Sequence, residues 1–246
     1  VRTEWGKYAC PTDGGPVLNP GNNLDTLNWD ASLMIANVEW NKSKVINNSI
    51  VPGRTNAIDC NPATGEVEVC NSEYGVNGWL GIAGIWIAKG KQITRGYVKV
   101  NDSYFKTAYY NNSDWRELVM CQEVGHIFGL AHQDETFDNA NLGTCMDYTD
   151  FPDGGGTGGA LSNLKPNDHD KAQLLAMYGA DDGGKGGGKG GGGGKPNGKG
   201  KPSSPPGNDI SQWGKAISTD GKGRPDLFEL DLGGGNKLFT HVIWAN

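Results

Sequence analysis

Residues 122–132 carry three side chains, those of Gln122, His126 and His132, at a spacing that suits a metal ion. Gln122 and His126 are four positions apart, so on a helix both lie on one face and can reach the same ion. Glu123 lies beside that face, where a carboxylate can accept a proton from water. Gly129 allows the positive backbone angle that ends a helix and turns the chain, which brings His132 to the same point. The spacing therefore predicts a metal centre with a neighbouring general base.

Two sequence motifs here resemble those of a known family. The segment from Gln122 to His132 resembles the zinc signature of matrixin-like metzincin metallopeptidases, H-E-x-x-H-x-x-G-x-x-H, with glutamine in place of the first histidine. Downstream, Thr144 to Tyr148 resembles the Met-turn of that family, which lies beneath the metal. Both motifs occur in the expected order, and Met146 follows His132 by 14 residues.

The resemblance implies a role for each residue of the two motifs. His126 and His132 are expected to bind Zn²⁺, Glu123 to act as general base and acid, and Tyr148 to donate a hydrogen bond to the transition state. Zinc lowers the pKa of its water and polarises the peptide carbonyl, while the glutamate carries the proton to the leaving amine. The implied function is that of a secreted zinc endopeptidase acting on a protein or peptide substrate.

Gln122 departs from the family pattern, because an amide oxygen binds zinc more weakly than an imidazole nitrogen does. Three interpretations follow: Gln122 is a weak third ligand, Asp134 or His169 supplies the third ligand, or the site is inactive. The last interpretation gives the alternative function, a catalytically inactive metzincin-fold binding protein. A third hypothesis is an adhesive module that depends on residues 208–246.

The cysteines indicate where the chain is cross-linked. Cys121 precedes the metal-binding face and Cys145 precedes Met146, so a disulfide between them would clamp the Met-turn to the helix. Cys60 and Cys70 form the natural second pair, which leaves Cys10 single. Together with several Asn-x-Ser sequons, these cysteines favour an exported protein under oxidising conditions.

Two further segments suggest ligands. Asp150, Asp153 and the glycines 154–156 could form a Ca²⁺ loop from carboxylate and backbone oxygens, or simply a flexible surface loop. Trp213 and Trp244 could form a platform for a surface polymer, or could instead be the core of a small sheet.

The elements that must position these residues indicate an α+β fold with a twisted mixed sheet and an active-site helix. That helix is predicted to begin at a capping box at Asp114 and to end at Gly129. An edge strand at 97–101 is expected to bind an extended peptide by strand addition. The remaining predicted elements are helices at 30–40 and 166–178, strands at 66–69 and 81–88, and a C-terminal antiparallel meander with segments at 213–218, 226–231 and 238–244.

Composition divides the chain into three parts and excludes some partners. Residues 1–182 are predicted to form the metallopeptidase domain, 183–207 a flexible Gly/Lys/Pro linker, and 208–246 a small β segment. The net charge of −6 disfavours nucleic acid as a partner. The longest apolar stretch, 79–88, is too short to cross a membrane.

Overall fold

A computed structural model describes residues 19–24, 29–88, 92–179 and 204–246. Cys10 and most of the predicted linker, residues 183–203, lie outside this part of the chain. The helices are α1 (Trp29–Trp40), α2 (Asp102–Phe105), α3 (Ser113–Ile127) and α4 (Asp168–Tyr178). The strands are β1 (Pro20–Asn23), β2 (Val51–Pro52), β3 (Val67–Ser72), β4 (Trp79–Ala88), β5 (Gln92–Asn101), β6 (Lys215–Thr219), β7 (Pro225–Gly233) and β8 (Asn236–Trp244). Short 3₁₀ turns occur at Gly156–Gly158 and Ile210–Gln212.

All the described strands belong to one mixed sheet with the order β2-β1-β3-β5-β4-β8-β7-β6. Its first four strands, β2, β1, β3 and β5, are parallel. The other four strands pair antiparallel, beginning with β4 on β5. The combination of a mixed sheet with helices confirms the predicted α+β class.

The C-terminal segment extends the main sheet. β8 pairs along nearly the whole length of β4, from Trp79↔Trp244 to Ile87↔Lys237. The three alternating segments predicted near the C-terminus correspond to β6, β7 and β8. Because β8 occupies the edge of β4 that β5 leaves open, the backbone groups of β4 are satisfied on both sides.

The prediction that 97–101 is an edge strand was wrong. β5 lies between β3 and β4 and forms backbone hydrogen bonds with both. The alternation of Val98, Lys99 and Val100 is real, but it reflects two covered faces of an interior strand, since all three residues are buried. A peptide therefore has no free edge of β5 to join.

Two apolar layers hold the sheet between them. One face packs against α1 and α3, through residues that include Ala83, Val98 and Phe239. The opposite face carries a smaller cluster that includes Trp86 and Trp213. Because side chains alternate along a strand, β4 and β8 contribute to both layers.

α3 carries the predicted metal-binding motif and lies against the sheet. It begins at Ser113 instead of at the Asp114 capping box, because the side chain of Asn112 accepts a hydrogen bond from the backbone N–H of Trp115. It ends near Gly129, whose φ of 84° turns the chain as the sequence predicts. α1 and α4 confirm the helices predicted near 30–40 and 166–178.

No helix among the described residues combines the length and the apolar character that a membrane span needs.

Candidate metal centre

Two glycines allow α3 to approach its neighbours closely. A Cβ at Gly81 of β4 would lie 2.7 Å from Oε1 of Glu123, so this glycine makes room for the carboxylate. A Cβ at Gly125 would lie 2.5 Å from Sδ of Met146 and 2.7 Å from the ring of Trp40. The helix therefore fits between the sheet on one side and Met146 on the other, which fixes the position of the polar residues it carries.

His126 is held in one tautomer by the turn after α3. Its Nδ1 lies 2.8 Å from the carbonyl oxygen of Leu130. A carbonyl oxygen can only accept, so Nδ1 carries the hydrogen and Nε2 keeps its lone pair when the ring is neutral. Burial, together with the neighbouring His241 and His132, lowers the pKa of His126 well below its ordinary value. The ring is therefore neutral and can bind a cation through Nε2.

His132 is oriented by two carboxylates. Its Nδ1 lies 3.3 Å from Oδ2 of Asp226 and 3.7 Å from Oε1 of Glu135. Burial alone would lower the pKa of His132, but the hydrogen bonds and charges of these carboxylates outweigh it and raise the pKa to about 9. Nδ1 therefore faces the two carboxylates as an ion pair, and Nε2 lies on the other side of the ring.

The Nε2 atoms of His126 and His132 lie 3.0 Å apart. Two lone pairs at this distance repel each other, so either a proton on His132 or a metal ion must lie between them. Two imidazole nitrogens on one tetrahedral zinc ion, with bonds of about 2.0–2.1 Å, are roughly 3.3 Å apart. A shift of a few tenths of an ångström is enough to convert the observed pair into two zinc ligands.

Gln122 and Glu123 are buried on the same helix as His126. Neither the amide of Gln122 nor the carboxylate of Glu123 has a hydrogen-bond partner among the described residues. An unsatisfied buried polar group costs about 1–3 kcal/mol, so such groups call for a ligand. Burial raises the pKa of the Glu123 carboxyl well above its ordinary value, and His132 opposes this shift. A cation at the histidine pair would give the buried oxygen atoms of Gln122 and Glu123 a charged partner.

The predicted clamp beneath the site is present. Cys121 and Cys145 form a disulfide, which joins α3 to the segment that carries Met146. Cys60 and Cys70 form the second bond, as predicted. The backbone N–H of Met146 donates to the hydroxyl of Thr144, which fixes the turn locally.

Tyr148 lies next to His132 but already has a hydrogen-bond partner. The two rings are 4.4 Å apart between centroids. The hydroxyl of Tyr148 donates to the backbone carbonyl of Val242 in β8, at 2.9 Å. The predicted role of Tyr148 as a donor to substrate requires that β8 release this hydroxyl.

The C-terminal strands cover the histidine pair. The ring of His241 in β8 stacks on that of His126, with centroids 3.9 Å apart and planes 13° from parallel. His241 is buried, and its Nδ1 has no hydrogen-bond partner among the described residues. Burial, with His132 nearby, lowers the pKa of His241 to about 3, so this third imidazole is also neutral.

The two alternative third ligands proposed from sequence have other environments. The carboxylate of Asp134 accepts hydrogen bonds from the backbone N–H of Thr136 and from the side chain of Asn139. His169 is exposed near the start of α4, with Nε2 3.4 Å from the side-chain nitrogen of Gln173. Among the described residues, neither Asp134 nor His169 belongs to a metal-binding group with His126.

A second group that could hold a metal lies on the far side of His132. Nδ1 of His132 and carboxylate oxygens of Glu135 and Asp226 all lie within 4.8 Å of one another. A neutral imidazole offers one lone pair, so His132 can bind a metal through Nε2 or through Nδ1 but not both at once. The two arrangements are mutually exclusive.

The residues of the predicted Ca²⁺ loop and of the predicted tryptophan platform have structural contacts. Asp150 accepts a hydrogen bond from the side chain of Asn246, and within the described residues neither it nor Asp153 belongs to a group with metal-binding geometry. Trp213 is fully buried and Trp244 is partly buried, and their indole N–H groups donate to backbone carbonyls. Both tryptophans therefore contribute to the packing of the C-terminal strands.

Asp226 and His241 were not predicted from the sequence as site residues. The chain has four histidines, and two of them belong to the zinc motif. The small number of remaining histidines is the signal that could have identified His241. Asp226 gives no such signal, because the chain contains many acidic residues. Its contact with His132 depends on how β7 docks.

A scan against protein-family models and a search of the curated proteins both found no match.

Proposed function

We propose that this chain is a secreted zinc-dependent endopeptidase whose metal is held by His126 and His132. The observation that carries the proposal is the pair of Nε2 atoms 3.0 Å apart, each on a ring whose Nδ1 is already engaged. Glu123 precedes His126 on the same helix and is buried beside it. This arrangement favours a hydrolytic metal site over a purely structural role for His126. A structural core histidine would need one hydrogen-bond acceptor and no second imidazole.

Each residue has a defined part in the proposed reaction. When bound, zinc supplies Lewis-acid polarisation of a carbonyl and activation of water. Glu123 accepts a proton and returns it to the leaving amine. Asp226 pairs with Nδ1 of His132, and the carbonyl of Leu130 accepts from Nδ1 of His126, so that both Nε2 atoms would be free to hold the metal. The two disulfides support the proposal of a secreted protein, because such bonds persist in oxidising compartments.

A second candidate function is a closed, non-catalytic metal site in a binding protein. The burial of Glu123 and His126 favours it, because structural zinc sites are enclosed whereas catalytic sites keep an open position. Catalysis on a peptide requires an opening through which substrate reaches the histidine pair. The non-catalytic function requires no such opening.

The first experiment measures the metal content of the purified protein. Elemental analysis of the purified full chain is expected to give one zinc per molecule, and His126→Ala should lose it. Glu135→Gln tests the competing arrangement, because Glu135 contacts only the Nδ1 side of His132. Loss of zinc in Glu135→Gln with retention in His126→Ala would overturn the proposed centre.

The second step tests catalysis. Cleavage of a broad peptide library is expected to be abolished by a zinc chelator and by Glu123→Gln, while Glu123→Gln keeps its zinc. A zinc-loaded chain that cleaves no peptide would support the closed, non-catalytic site. Unchanged turnover in Glu123→Gln would remove Glu123 from the mechanism.

A further inference from the structure

Glutamine at position 122 leaves the proposed metal short of an imidazole, and His241 of β8 lies against His126. The glutamine amide is a weaker zinc ligand than imidazole, so two histidines alone leave the ion under-coordinated by strong donors. His241 of β8 pairs with Ala83 of β4, and this pairing brings His241 to the site. A residue more than a hundred positions away in sequence thereby contacts His126.

The surroundings of His241 point to a ligand. The side chain is buried, yet its Nδ1 has no hydrogen-bond partner among the described residues. A histidine that only packed in the core would be expected to have hydrogen bonds at both ring nitrogens. A buried polar atom without a hydrogen-bond partner costs about 1–3 kcal/mol. Its ring contacts are with the two proposed ligands, at centroid distances of 3.9 Å from His126 and 6.1 Å from His132.

We propose that His241 is the third protein ligand of the metal held by His126 and His132, so that the C-terminal β7–β8 hairpin completes the metal centre. This inference rests on the proposed function and identifies the ligand that the sequence motif lacks. In the structure the ring of His241 lies flat on that of His126, and the nitrogens of His126, His132 and His241 do not all lie within 4.8 Å of one another. Ligation requires the ring to turn about its side-chain bonds until one nitrogen faces the space between the two Nε2 atoms.

The position of the hairpin follows from the same argument. Asp226 of β7 forms an ion pair with His132, and the carbonyl of Val242 in β8 accepts a hydrogen bond from Tyr148. His241 precedes Val242 in β8 and pairs with Leu227, the residue after Asp226. A metal bound by residues of both α3 and β8 would join the hairpin to the helix. Metal binding and docking of the hairpin are then linked, so each stabilises the other.

The experiment measures the affinity of the full chain for Zn²⁺ by competition with a chromophoric chelator, and the absorption of bound Co²⁺. His241→Phe is the main variant, because phenylalanine keeps the aromatic stack on His126 but cannot bind a metal. His169→Ala is the matched control, since it removes an exposed histidine. Thermal unfolding without metal shows whether each variant is folded.

We expect His241→Phe to lower zinc affinity by more than about 100-fold, beyond the 10–100-fold typical of losing an outer-shell partner. The Co²⁺ spectrum should change in intensity, because one nitrogen ligand is lost. Adding Gln122→His to His241→Phe should restore affinity, since it returns an imidazole to the face of α3 that carries His126.

Three outcomes are decisive. Parent-like affinity and an unchanged Co²⁺ spectrum in folded His241→Phe would overturn the inference and leave the proposed zinc centre intact. Weaker binding with an unchanged Co²⁺ spectrum would overturn it also, because His241 would then only position the ligands. Absence of zinc binding in the parent would instead refute the proposed function itself.

Discussion

Asp226 in β7 contacts Nδ1 of His132 at 3.3 Å, and so connects the C-terminal strands to the loop after α3. The carboxylate is buried, and His132 lowers its pKa although burial by itself would raise it. A charged carboxylate in this position makes His132 a better electron donor and holds its ring in place.

Replacing Asp226 by asparagine is expected to weaken zinc binding. The amide can still accept a hydrogen bond, but it lacks the charge, so affinity should fall by about 10–100-fold. A competition titration with a chelator measures this. Asp231→Asn, at an exposed position of the same strand, should leave affinity unchanged. Equal affinities for Asp226→Asn and the parent would show that the contact does not support the metal.

The two disulfides offer a matched comparison. Removing Cys121–Cys145 with a double alanine variant should weaken zinc binding, because the bond joins α3 to the Met146 segment. Removing Cys60–Cys70 should lower stability but leave zinc affinity near the parent value, because that bond closes a loop on the sheet. Each loss should cost about 2–4 kcal/mol of unfolding free energy. Similar zinc affinities in both variants would argue against the clamp.

The sequence predicts the local structure around the candidate site. Residues 122–132 are contiguous, so helical spacing and the turn at Gly129 place them without knowledge of the rest of the fold. The pairing of Cys121 with Cys145 followed from their positions beside the two motifs. These features depend on short stretches of chain whose geometry has few alternatives.

The long-range parts could not be predicted in this way. Which strand lies at an edge depends on all pairings in the sheet, and so 97–101 was wrongly placed at an edge. The docking of β8 on β4 sets the register Ala83↔His241, and a shift of one residue would turn the imidazole to the other face. No short-range pattern specifies that register, so His241 and Asp226 were missed.

Gly125 tests the close approach of α3 to Met146. Gly125→Ala is expected to destabilise the fold by about 1–3 kcal/mol, although alanine favours helix, because the added methyl collides with Sδ of Met146 and the ring of Trp40. Chemical denaturation measures the change. Combining Gly125→Ala with Met146→Ala should cost less than the sum of the two single changes, since the sulfur is then absent. Strict additivity would show that the two residues do not compete for space.

Lys99 gives a prediction for alkaline pH that is independent of the metal. Its ammonium is buried on β5 and donates to the carbonyl of Ile58 and the side chain of Asn208. Burial lowers the pKa of Lys99 from 10.5 to about 8, against the opposing charge of Asp59. Between these two pH values the unfolded chain holds a proton that the folded protein has released. The contribution of Lys99 to stability therefore rises with pH over this window.

The expected increase is on the order of 2–3 kcal/mol across pH 8 to 10.5. Urea denaturation of the parent and of Lys99→Met at pH 7.5 and pH 10 gives the difference in pH dependence. Lys215→Met, on the exposed strand β6, controls for the general loss of a lysine. Because the folded protein pays for a buried charge only below pH 8, Lys99→Met should gain stability relative to the parent at pH 7.5 and lose most of that advantage at pH 10. The same advantage at both pH values would mean that Lys99 stays charged in the folded protein.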